Sequence, residues 1–179
     1  MYTTKLKFTR LQNEIFSLLC LKAGKRLNQR EIASILKVSP TAVSKSIKGM
    51  MHLIKINRHG NVNLKEIELD RDNPKAVALK RVENLRLIYE SGLVECLEEA
   101  FPGALIIVFG SYSLGEDTVN SDIDFAIIAS EQKDTDLSEF EKTLEKGINL
   151  NFFADLNKVD KSLRSNIING IVLSGVIEL

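Results

Sequence analysis

The chain has 179 residues, 44% apolar and 27% charged, a balance that suits a globular protein and excludes disordered, collagen-like and disulfide-scaffold classes. Lys plus Arg and Asp plus Glu both number 24, yet residues 1–75 hold 15 cations against 6 anions, and residues 76–179 hold 9 against 18. Halves of +9 and −9 mark a domain boundary. A basic half concentrates polyanions, whereas an acidic half repels them unless its carboxylates hold cations; mutual attraction of the halves is the bland alternative. No apolar run approaches the roughly 18 residues of a membrane span, and MYTTKLKFTR has no apolar signal segment behind its basic residues. A membrane protein is excluded, and a cytoplasmic location is expected. Cys20 and Cys96 match no CxxC spacing, which predicts buried reduced thiols rather than a disulfide or a zinc site.

In the basic half, Leu11, Ile15, Leu18 and Leu19 form the stripe of a helix from about Lys7 to Ala23, ended by Gly24. Asn28 followed by Glu31 has the form of a capping box, opening a short helix with Ile32, Ala33, Ile35 and Leu36 as its apolar positions. Ser39 as N-cap and Pro40 at the first helical position start a third helix, reaching about Met51, with Val43, Ile47 and Met50 or Met51 facing inward. Its other face carries Thr41, Ser44, Lys45 and Lys48, hydroxyls suited to base edges and cations suited to phosphates. The run HLIKINRHGNVNLKEIEL alternates about a turn at His59-Gly60-Asn61, predicting a hairpin with Arg58 and His59 at its tip. His59 reads as an exposed loop residue, not a metal ligand.

The stretch REIASILKVSPTAVSKSIKGM resembles the helix-turn-helix of bacterial and archaeal winged-helix regulators, with the hairpin as the wing. Lys37 departs from that pattern, which often has glycine there. The resemblance implies double-stranded DNA as partner, with a homodimer reading the major groove through the third helix.

Asp72-Asn73-Pro74 is turn chemistry before a long helix, Lys75 to Ser91, with Val77, Leu79, Val82, Leu85 and Ile88 as its apolar positions. It is expected to link the halves, giving domains at 1–72 and 90–179 with a linker helix at 73–89. A helix Leu93 to Ala100 and the turn Pro102-Gly103 lead into Ala104 to Phe109, an apolar run expected of a strand covered on both faces. The Gly110-x4-Gly115 that follows is no P-loop, because Glu116 and Asp117 stand where Lys and Ser or Thr must meet phosphate. Gly110-Ser111 still suits a phosphate, through exposed N–H groups and a hydroxyl. Asp122 and Asp124 open a second apolar strand and project from one face, while Ile123 and Phe125 enter the other.

Buried strand, Gly110-Ser111, Asp122-x-Asp124 and apolar strand together resemble the nucleotidyltransferase superfamily of polymerase-beta type, and within it the minimal nucleotidyltransferases. The likeness covers about Glu90 to Leu179, with FGSYSLGEDTVNSDIDFAII its core. It implies an α+β chain, in which a winged helix-turn-helix precedes a small mixed-sheet nucleotidyltransferase fold with flanking helices. Gly110 and Ser111 would hold the triphosphate of an NTP, and Asp122 and Asp124 would bind Mg²⁺ or Mn²⁺ as catalytic residues. The family's third carboxylate is missing. On the strand Ile148 to Phe153, the matching position is Asn149, with Asn151 on the same face; an amide ligates a cation but cannot act as a base. Asp155 is a substitute beyond the strand end, and Ser113-Leu114 replaces a basic residue found in many relatives. A closing helix and short strand would use Ile167, Ile168, Ile171, Val172 and Leu173 as core.

Three readings follow. One is a DNA-binding enzyme that transfers a nucleoside monophosphate to an acceptor hydroxyl. The second is a transcription regulator with a degenerate, nucleotide-sensing domain, and the third a non-catalytic interaction module with a partner protein.

Overall fold

Side-chain caps set where the helices of the basic half begin. The computed structural model describes residues 8–58, 65–129 and 133–177, in two units, Met1–Ala76 and Val77–Leu179. In the first, Thr9 accepts from Gln12 N and Gln12 Oε1 accepts from Thr9 N, so α1 runs Arg10–Leu21, shorter at both ends than its apolar stripe suggests. A two-residue strand, β1 (Leu27–Asn28), is too brief for any periodic signal. The Asn28–Glu31 capping box forms in both directions and opens α2 (Gln29–Ile35). Ser39 caps α3 (Pro40–Lys48), which stops at Gly49; Met50 is buried while Met51 is exposed. The hairpin strands β2 (Ile54–Arg58) and β3 (Lys65–Leu69) pair from Ile54↔Leu69 to Arg58↔Lys65, and the turn expected at His59-Gly60-Asn61 lies outside the described residues. The sheet order is β1-β3-β2, antiparallel throughout. Ile15, Leu19, Ile32, Val43, Ile47 and Ile67 are among its buried core.

The turn between α2 and α3 carries backbone strain. Val38 N donates to Ala33 O and Lys37 N to Ser34 O, a Schellman closure that places Lys37 at φ 53.

In the second unit the sheet order is β6-β5-β4-β7. Strand β4 (Leu105–Phe109) is antiparallel to β5 (Ile123–Ile128) and β7 (Ile171–Ser174), and β5 is parallel to β6 (Ile148–Phe153). All five residues of β4 are buried. One core gathers Ile106, Val108, Ile123 and Phe125 with Ile88 of α4 (Pro74–Glu90) and Leu93 and Leu97 of α5 (Leu93–Ala100). The other gathers Leu105, Ile107, Phe109 and Ala126 with Ile167. The short α6 (Gly110–Leu114) bridges β4 to β5, α7 (Ser138–Leu144) precedes β6, and α8 (Lys161–Ile168) precedes β7. The chain is thus an α+β protein, with two sheets among the described residues.

Three apolar assignments change, the first being Ile35 of α2, which is exposed while Ile32 and Ala33 are buried. The inward face of α4 is Ala76, Lys80, Asn84 and Ile88, and Val82 is 65% exposed. From Val77 onward this helix, expected as a linker, belongs to the second unit. In the tail Ile167 is buried, but Ile168 and Val172 are exposed. Cys20 is buried and Cys96 half-buried, with no disulfide between them. Among the described residues no helix is long and apolar enough to cross a membrane.

A glycine at position 37 relieves the left-handed strain. Lys37→Gly is expected to raise stability by about 0.5–1 kcal/mol, read as a higher urea midpoint at unchanged slope.

Candidate functional site

Burial of Ile123 and Phe125 fixes the alternation of β5, turning Asp124 and the preceding Asp122 to the opposite side. Register then brings three elements together, for Asp124 lies opposite Phe109, the residue before Gly110, and beside Asn149 of β6. The Asn149 amide donates to Asp122 Oδ2 at 3.3 Å and to Asp124 Oδ1 at 3.1 Å. Asp122 is exposed and Asp124 half-buried.

Both carboxylates rest against bare glycine. A Cβ on Gly110, at φ 72, would lie 3.2 Å from Asp124 Oδ2, and one on Gly147 would lie 2.6 Å from Asp122 Oδ1. Any side chain at Gly147 would displace the Asp122 carboxylate. Ser111 follows Gly110 in α6 and is half-buried, while Ser113 Oγ donates to Gly110 O at 2.9 Å.

The other sequence candidates separate from this cluster. Asn151 lies opposite Ala126 and donates to Phe125 O at 3.2 Å, so its amide braces the neighbouring strand rather than the acid pair. Asp155 follows the far end of β6, roughly 20 Å along the strand from Asn149, and caps the turn Leu156–Lys158 through Asn157 N. Among the described residues no group of three or more His, Cys, Asp or Glu could hold a metal ion. A donor hydrogen placed between two carboxylates marks a spot that attracts positive charge, so the residues fit one divalent cation, held by Asp122 and Asp124 with an amide beside it. They do not supply a third carboxylate for a second ion.

Asp117, which sequence reasoning treated only as a charge hostile to phosphate, is fully buried. Its Oδ1 accepts from Lys80 Nζ and, at 2.6 Å, from Asn84 Nδ2; Lys146 Nζ stands 3.1 Å from Oδ2 as an ion pair without hydrogen-bond alignment. Lys80 is also fully buried and donates to Asn84 Oδ1, and Asn84 donates to Tyr112 O. The sequence signal was present: Lys80 and Asn84 interrupt an Ala76–Ile88 series spaced by four, and polar residues on a buried helix face require a buried partner.

In the first unit, Thr41, Lys45 and Lys48 are exposed on α3 and Ser44 is half-buried, while Val43 and Ile47 are buried. Gln12 Nε2 donates to Ser46 O at 3.1 Å and ties α3 to α1. Arg58 is the last residue of β2.

Residues 93–175 match the family model described as Polymerase beta, Nucleotidyltransferase. Two mutant structures of Lactococcus lactis ZitR are similar to the chain at 26% identity and a TM-score of 0.41, covering 56% of this chain and 67% of theirs. No curated protein matches the chain.

Removing Asp117 strands buried ammonium groups. Asp117→Ala is expected to cost about 3–5 kcal/mol, measured by urea unfolding, with Asp117→Asn less damaging because the amide oxygen still accepts.

Proposed function

We propose that the second unit binds an NTP with one divalent cation, and that the first unit binds double-stranded DNA. The observation that carries the nucleotide reading is the convergence of Asp122 and Asp124 on one amide donor beside Gly110. Asp122 and Asp124 would hold Mg²⁺ or Mn²⁺, while Gly110 and Ser111 would receive the triphosphate. When bound, the cation neutralises phosphate charge and so lets two carboxylates and a polyanion share one site. In a transfer, an acceptor hydroxyl would attack the α-phosphorus, the bond to the β-phosphate bridging oxygen would break, and pyrophosphate would leave.

A second reading is favoured by Asn149. Its amide stands where a third carboxylate would accept the proton of the attacking hydroxyl, and an amide cannot do so at neutral pH. On this reading the protein is a regulator whose nucleotidyltransferase domain senses nucleotide without turning it over. Pyrophosphate release separates the two, and in the regulator nucleotide changes DNA affinity instead.

Calorimetric titration of NTP with Mg²⁺ is expected to give saturable binding in the natural protein. Asp122→Asn with Asp124→Asn should weaken it at least tenfold, and equal binding in both would overturn the nucleotide site.

The DNA reading rests on the excess of cations in residues 1–75 and on the exposed Thr41, Lys45 and Lys48 of α3, with Ser44 and Arg58 as further contacts. Each lysine that meets a phosphate releases counterions, so Lys45→Ala and Lys48→Ala should each lower the slope of log affinity against log salt by about one. Duplex binding indifferent to salt, measured by fluorescence anisotropy, would argue against it. A homodimer on the DNA or a partner protein is compatible with either reading, and a two-fold symmetric site would favour the dimer.

A further inference from the structure

Lys146 is a buried cation one residue before Gly147, the glycine that lies against Asp122, and neither reading above uses it. Its ammonium donates to Thr118 O at 2.6 Å and reaches Ser121 O at 3.4 Å. Those two carbonyls bound a closed turn, in which Ser121 N donates to Thr118 O and Thr118 N donates to Ser121 Oγ, both at 3.0 Å. The turn ends one residue before Asp122. On the other side of Asp122, Ile123 N donates to the carbonyl of Gly147, the residue after Lys146, at 2.8 Å, and the Cα of that glycine faces the Asp122 carboxylate. Lys146 and Gly147 therefore grip the chain immediately before and immediately after Asp122.

The grip is itself held in place. The Lys146 ammonium pairs with Asp117, which Lys80 and Asn84 secure from α4, and it lies 5.9 Å from the centre of the Tyr112 ring on α6. Asp122 is exposed and precedes the first residue of β5, so strand alternation sets the side it faces while packing does not hold its carboxylate in place. A charged donor on paired carbonyls supplies what packing does not, since a ligand residue works only when its supporting shell locks it.

We propose that Lys146 is a positioning residue for Asp122, holding the 118–121 turn so that the carboxylate stays on Gly147 and converges with Asp124. The inference rests on the reading of Asp122 and Asp124 as the cation pair. Loss of the ammonium leaves Asp117 paired with Lys80 and Asn84, so the core anchor survives while the turn is released.

Two measurements test it in the full chain, on Lys146→Met and on a core control, Ile88→Val. The first is hydrogen exchange of the segment 118–124 without metal, expected to quicken in Lys146→Met and not in the control. The second is titration with Mn²⁺ alone, following loss of the free-ion paramagnetic resonance signal, where Lys146→Met is expected to bind about tenfold more weakly and the control as the natural chain does. Should the methionine variant fail to fold, Lys146→Gln, neutral and too short to span both carbonyls, is measured in its place. Natural-like exchange and Mn²⁺ affinity in the folded variant would overturn the positioning role and leave the cation pair standing. A natural chain that ignores Mn²⁺ would overturn both.

Discussion

A buried carboxylate organises the second unit. Asp117 comes from the stretch between α6 and β5, and the groups it gathers come from α4 and from the residue before Gly147. Taking charges out of water costs several kcal/mol for each ion, and the cost is offset only where each group finds partners of good geometry. Lys80, Asn84 and Lys146 are such partners, and their burial in turn dictates that α4 presents polar residues inward where an apolar stripe would otherwise sit. Apolar packing could join the same elements. The polar cluster adds direction, because a carboxylate accepts along defined lines and so fixes how α4, α6 and the 118–121 turn are rotated about one another.

The acid pair depends on a simpler constraint, the two-residue period of a strand. With Ile123 and Phe125 in one core and Ala126 in the other, a slip of one residue would carry Asp124 into the first core and force the Phe125 ring into the space Ala126 fills, so β5 tolerates one register. Parallel pairing with β6 then sets Asn149 beside Asp124. Fold and candidate site share this origin: the burial that stabilises the sheet also aims the carboxylates.

Much of this was readable in the amino-acid order. Caps at Asn28 and Ser39, the doubly covered run ending at Phe109 and the strand Ile148–Phe153 each carry a local chemical signature, and each forms where that signature lies. The positive φ of Lys37 was foreshadowed by the glycine that similar turns carry. Other features were not local. β1 has two residues, and its pairing with β3 is the work of distant chain. Apolar spacing alone puts Val82 on the inward face of α4, because it cannot weigh a lysine whose partner lies 37 positions away. Asn151 and Asn149 look equivalent by alternation, yet only the neighbouring strand decides that one meets carboxylates and the other a backbone carbonyl.

The amide at Asn149 also bears on ionic stoichiometry. Two carboxylates carry two negative charges, which one divalent ion cancels. A third acid would leave an excess able to recruit another ion, whereas a neutral side chain leaves none. On the proposed reading the charge of a bound ion would be shared between these carboxylates and an incoming polyphosphate, and backbone dipoles and hydroxyl groups would meet the remainder. On the regulator reading, such a domain would grip its anion with no side chain to take the proton of an attacking hydroxyl.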